Sequence, residues 1–179
     1  YGLKAISDAS SENAELFLHL AAALVDRMEA RIINGDAPAL SAQQQDKILG
    51  DRARHIMDRW NFPFAAMVRN MLSAMAAQCR DESLAPNAWL DAGANAIGLP
   101  QEEFTEAVSS RNTELAQILH YAVAYNAVLL RPNYSQGGKT WCLVELGGPA
   151  ILANSLTLSR GGFLERRVPD LLRFAGLRS

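Results

Sequence analysis

Apolar residues recur at spacings of three and four through the first two thirds of the chain, and that pattern predicts a run of helices. Phe17, Leu20, Leu24 and Met28 mark the first long one, with Ser10 and Ser11 as candidate caps, Glu12 in its first turn and Asn34-Gly35 at its end. Its opposite side carries Asp26, Arg27, Glu29 and Arg31, yet Leu16, Ala21, Ala22, Ala23 and Val25 widen the apolar stripe. A helix so patterned is expected to pack on more than one side. Asp36-Ala37-Pro38 breaks the chain, and Ser41 with Gln44 three residues on forms a capping box. That second helix is expected to run to about Trp60, with Gly50 dividing it. After Asn61-Phe62, Pro63 suits a helix N1 position, and Phe64, Met67, Val68, Met71, Leu72, Met75 and Cys79 follow at the spacing of a buried helix.

Beyond a loop over 81–86, Asn87 can cap a helix through Ile97, and Gly98-Leu99-Pro100 turns into a short acidic helix containing Glu102, Glu103, Phe104 and Val108. Two short helices about a glycine turn resemble a helix-turn-helix. From Asn112 a longer helix places Leu115, Ile118, Leu119, Ala122 and Val123 on one face. Near Ala127 the period changes. Val128-Leu129-Leu130 and Trp141-Cys142-Leu143-Val144 are short, apolar and β-prone, and the intervening 131–140 is rich in turn residues, which predicts a hairpin with a long tip. A short helix is expected within Ala150 to Leu158, then a turn at Ser159-Arg160-Gly161-Gly162 and a last amphipathic helix from Val168 to Phe174. The expected fold class is mainly α: a helical bundle followed by a winged-helix-like domain with a small β-hairpin.

Composition narrows the function classes. With 179 residues, 49% of them hydrophobic and 20% charged, the chain has the apolar content for a sizeable core. No stretch approaches the ~18 consecutive apolar residues of a membrane span, and the first ten residues lack the basic-then-apolar order of a signal peptide. No membrane partner is therefore expected. Two cysteines, Cys79 and Cys142, without CxxC spacing argue against a disulfide framework and a zinc site and make a cytoplasmic location the default. A chain opening on tyrosine reads as a piece of a longer protein.

Candidate chemistry is sparse. Gln136-Gly137-Gly138-Lys139-Thr140 ends like a phosphate-binding loop, but the position of that loop's first glycine holds Asn133, and Trp-Cys-Leu-Val follows where a helix should start. A solvated hairpin tip is the expected reading, and no cofactor is assigned. His19, His55 and His120 lie in three different helices with no ligand spacing around them. Cys79 and Cys142 stand among apolar residues, where a thiol behaves as a small hydrophobe. Ser155 has no GxSxG surroundings, and Glu102 and Glu103, being adjacent, diverge on a helix. No catalytic residue and no metal ligand is nominated, so this segment is not expected to be an enzyme.

Charge is more informative. The formal net of −2 hides a segment, 81–130, at −6 and a tail, 159–179, at +3. Binding to nucleic acid requires several phosphate contacts from lysine or arginine. Arg160, Arg166, Arg167 and Arg173 of the tail, with Arg131 and Lys139 of the hairpin, form the candidate nucleic-acid-binding set. The competing reading pairs these arginines with the acidic segment, or with a missing domain. It is favoured by the helix from Asn112, the presumptive recognition helix, which holds no lysine or arginine.

The order of parts resembles the region C-terminal to the nucleotide-binding core of AAA+ and STAND-type ATPases, including origin-recognition-like ones: a helical lid, then a winged helix. Residues 13–20, Asn-Ala-Glu-Leu-Phe-Leu-His-Leu, are similar to the helix opening such a lid, and Ala39-Leu40-Ser41-Ala42-Gln43-Gln44 to the start of a later lid helix. The resemblance implies a lid-like segment over 1–60 and a winged-helix-like domain with a C-terminal extension over 61–179. It implies a non-catalytic region of a larger ATPase-like protein that contacts double-stranded DNA through the hairpin tip and arginine-rich tail. The alternative is a protein-interaction or oligomerisation module, its partner the missing ATPase domain or a second copy. Three departures stand against the pattern: no Walker A, Walker B or lid arginine sensor can be placed; 98–110 adds a helix between the usual two; and residues 160–167, Arg-Gly-Gly-Phe-Leu-Glu-Arg-Arg, extend past a simple winged helix.

Overall fold

Asn13, rather than Ser10 or Ser11, caps the first long helix: its side chain accepts from the Leu16 backbone N–H at 3.0 Å. The two serines instead close a preceding short helix that the periodicity does not reveal. The computed structural model describes residues 1–11, 13–86, 93–109, 113–159 and 161–177. Among these the helices are α1 (Leu3–Ala9), α2 (Ala14–Ile33), α3 (Ala42–Asp58), α4 (Ala65–Ser83), α5 (Gln101–Val108), α6 (Glu114–Ala124), α7 (Gly148–Ala153) and α8 (Val168–Phe174). The strands are β1 (Ala94–Pro100), β2 (Val128–Gln136), β3 (Lys139–Leu146) and β4 (Gly162–Glu165). The chain is thus mainly α-helical with one small mixed sheet.

Helix α3 carries both halves of the expected capping box: Ser41 Oγ accepts from the Gln44 N–H, and Gln44 Oε1 accepts from the Ser41 N–H. Gly50 does not divide it. A Cβ there would stand 3.2 Å from the Leu152 carbonyl oxygen, so the missing side chain lets α7 lie against α3. Pro63 falls outside α4, whose N-cap is Phe64 in the left-handed region at φ 65°. Phe62 stacks on Tyr125 with ring centroids 4.0 Å apart and Phe64 tilts against Tyr121, so aromatic packing onto the end of α6 sets this entry. The face of α4 read as buried is buried: Val68, Met71, Leu72, Met75 and Cys79 are wholly inaccessible.

The helix expected through Ile97 is absent over 94–97, which belong to β1; residues 87–92 lie outside the described residues. The two-helix reading of this stretch is corrected accordingly, and α5 follows a strand. The physical reason is burial on both faces. Ala94 to Leu99 are all buried, Asn95 being the one polar residue among them, so the strand shows no alternation to distinguish it from a core helix. The sheet order is β2-β3-β1-β4, with β1 antiparallel to β3 and parallel to β4.

The hairpin also differs from expectation. Its tip is a two-residue turn, Gly137-Gly138, with both residues at positive φ as a type I′ turn requires. The other turn-prone residues, Pro132 and Asn133, form a bulge in β2, where the register shifts between Arg131 and Tyr134. Arg131 therefore lies within a strand, paired with Leu143, and not at the tip.

Two hydrophobic clusters hold the fold. The smaller gathers Ile6, Leu16, Leu20, Leu24 and Leu49 from α1, α2 and α3; the larger packs α4 and α6 against the sheet and α8. Helix α7 contributes to both, Leu152 to the first and Ile151 to the second. The wide apolar stripe of α2 is covered on one side only: Leu16, Leu20 and Leu24 are buried, while Leu18, Val25, Met28, Ile32 and Ile33 are exposed.

Candidate interaction surfaces

Of the six cations singled out by charge, the five within the described residues each meet a neighbouring acid, amide or carbonyl group. Arg131, on β2, reaches Glu145 of β3 at 2.6 Å and lies 5.9 Å from the Tyr134 ring centroid. Lys139, beside the turn, sits 5.5 Å over the Trp141 ring and 3.9 Å from the Glu165 carboxylate. Arg166, just past β4, donates through Nε to Gln78 Oε1 of α4 at 2.8 Å and through Nη1 to the Glu165 carbonyl at 2.8 Å. Arg167 is ion-paired with Glu103 of α5, whose other oxygen accepts the Val168 N–H at 2.9 Å. Arg173 pairs with Asp170. Arg160 lies outside the described residues.

Lys139, Arg166 and Arg167 do share one cleft of about 950 Å³, walled by Trp141 and Pro100. Arg131 and Arg173 do not line it. The cleft also contains Glu102, Glu165 and Asp170, so its three cations face three carboxylates. Asp170 is held below the ordinary carboxylate range, first by the backbone N–H of Arg167 and further by the Arg173 guanidinium. The competing reading above, pairing of these arginines with the acidic segment 81–130, describes Arg167 with Glu103; Arg173 and Arg131 pair instead with Asp170 and Glu145, outside that segment.

A second surface was only half legible. The face of α6 read as apolar is buried at Leu115, Ile118, Leu119 and Ala122, but Val123 is exposed. After Glu114 the helix has no Asp, Glu, Lys or Arg, and its outward side, with Gln117, His120, Tyr121 and Val123, helps form a groove of about 910 Å³ with Phe64, Phe104, Val108 and Leu130. The signal for this groove was the absence of charge from the outer side, since a one-faced surface helix carries charged residues there. The two helices that wall it, α5 and α6, carry Glu102, Glu103, Glu106 and Glu114 and no lysine or arginine, although Glu102 lines the first cleft and Glu103 is paired with Arg167.

The remaining candidate chemistry stays dispersed. Lys139-Thr140 opens a strand, so no helix N-terminus follows the Gly-Gly-Lys-Thr sequence. Burial pushes the Cys79 thiol up to about 12 and that of Cys142 up to about 11, which leaves little thiolate near neutral pH. His19 lies against Glu15 and Arg52, His55 against Arg59 and His120 edge-on to Tyr121. Among the described residues no group of three His, Cys, Asp or Glu side chains could hold a metal, and no helix is long and apolar enough to cross a membrane. Compared with protein-family models, curated proteins and solved structures, the chain shows no significant match to any of them.

Proposed function

We propose that the chain is a non-catalytic interaction module in which a winged-helix-type unit, residues 65–146, presents α6 to a protein partner. The order α4, β1, α5, α6, β2, β3 and the antiparallel arrangement β2-β3-β1 support the winged-helix reading, because they are the order and pairing of that fold. With β1 as a strand, α5 is no longer an additional helix, and the resemblance to the lid and winged helix of an ATPase loses one of its three departures. The reading gives α6 the place of a recognition helix. A helix that reads DNA offers cationic side chains to phosphates beside polar ones to bases, whereas the outward side of α6 offers Tyr121, Val123 and Ala124 beside Gln117 and His120 and has no lysine or arginine.

That apolar groove is the observation that carries the proposal. The net negative charge of α5 and α6, the helices that wall it, selects the partner chemistry: an amphipathic segment with apolar anchors and flanking lysines or arginines. The test is fluorescence anisotropy with helical peptides bearing leucine and phenylalanine anchors. Basic-flanked peptides should bind, acidic-flanked ones should not, and Val123→Asp should weaken binding at least tenfold. Equal binding of both peptide classes, or no effect of the substitution, rejects the reading.

A second reading has its own observation, the gathering of Lys139, Arg166 and Arg167 beside Trp141 in one cleft. There the chain would contact double-stranded DNA with the turn of the hairpin and the segment after β4. Substituting all three cations by alanine should then lower duplex affinity and flatten its dependence on salt by about three phosphate contacts. An unchanged salt slope eliminates it.

A further inference from the structure

Helix α2 carries two apolar rows, and the fold uses one. Leu16, Leu20 and Leu24 pack in the smaller cluster. About 100° around the helix, at 3.6 residues per turn, a second row comprises Leu18, Ala21, Val25, Met28 and Ile32, of which Leu18 is 67% exposed, Val25 49%, Met28 37% and Ile32 58%. The steps of three, four, three and four are the a and d positions of a heptad repeat, a spacing that suits a seam against another helix and gains nothing from solvent.

We infer that this row is a self-association seam, along which two copies of the chain pair through α2. The repeat calls for a helix of matching period, and α2 is itself such a helix. The exposed apolar surface of the row is on the order of 400 Å² per chain, within the range of the largest patch on ordinary monomers. Two copies would bury about 800 Å², short of what a stable interface buries, so the pair forms weakly and reversibly with concentration. Charge sets the direction. Glu15 and Glu29 fall on one border of the row and Arg31 on the other. In a parallel two-fold pair the unlike borders meet, whereas an antiparallel pair would set glutamates against glutamates.

The seam is distinct from the α6 groove, so the two readings fail separately. Sedimentation equilibrium of the whole chain at rising concentration should give a mass climbing towards twice that of the monomer. Leu18→Asp and Val25→Asp, both at exposed positions, should hold the mass at that of one chain with far-ultraviolet circular dichroism unchanged. Val25→Cys should cross-link to its own copy under mild oxidation, since the natural cysteines are buried. A wild-type mass that never rises, a dimer that survives both aspartate substitutions, or one that Val123→Asp disperses while Val25→Asp does not, overturns the inference. A dimer that Val25→Cys fails to cross-link overturns the parallel arrangement.

Discussion

Asp170 shows how one side chain can serve two neighbours. It accepts the Arg167 backbone N–H at 3.0 Å in the first turn of α8 and pairs with Arg173 one turn on. Both interactions favour the ionised carboxyl and lower its pKa. A lowered folded-state value means that the stabilisation is fully present above the ordinary carboxylate range and is lost as pH falls through the folded value. Asp170→Asn should therefore cost about 1 kcal/mol at neutral pH, the usual worth of such a cap, and progressively less in acid; chemical denaturation at several pH values measures both. The cysteines allow a second prediction at this scale. With thiols pushed up to about 12 and about 11 by burial, Cys79 and Cys142 should resist alkylation in the folded chain and react at once in denaturant. Fast labelling of the native protein would contradict that burial.

Secondary structure was legible where the residues themselves carry the signal. Ser41 and Gln44 announce their box because both partners are local, and the α4 face is evident because one side of it alone is apolar. Strand β1 was not legible, because burial on both faces removes the alternation by which a strand is recognised. Strand β4, four residues long, is too short to show a period at all. The candidate cations were visible as charges, but which acids they meet depends on strand register and on α5 meeting the segment after β4, information that no local window holds. Close approach between elements was equally hidden. Gly148 opens α7 against the end of α1, and a Cβ placed there would fall 1.5 Å from the Ala9 carbonyl oxygen. Gly148→Ala should displace α1 or α7 and cost about 2 to 3 kcal/mol, as overpacking does; a thermal melt that stays within a degree of wild type would show that the contact yields.

At the scale of the whole molecule, two helices join the clusters: α3, with Leu49 in the smaller and Met57 in the larger, and α7. Leu152 is 4% exposed and belongs to the smaller cluster, while Ile151 beside it belongs to the larger. Unfolding followed by circular dichroism and by tryptophan fluorescence, which senses the larger cluster through Trp60, should therefore give coincident transitions in the wild type. Leu152→Ala should cost roughly 2 to 5 kcal/mol as a cavity and separate the two curves, with helicity falling first. Curves that remain superimposed would mean that the clusters are coupled elsewhere.

Strand β1 has a further consequence, for the order in which the chain is made. Both of its sheet partners, β3 and β4, lie downstream of it, the second ending at Glu165. As the polypeptide leaves the ribosome, β1 emerges with two bare edges, gains a neighbour only when the hairpin is complete, and keeps one edge open until residues 162–165 follow. An open apolar edge is a template for pairing with another chain. A nascent chain stalled between the hairpin and Gly162 is thus the form of this protein most exposed to misassembly, and the last short strand acts as the closure that ends that interval.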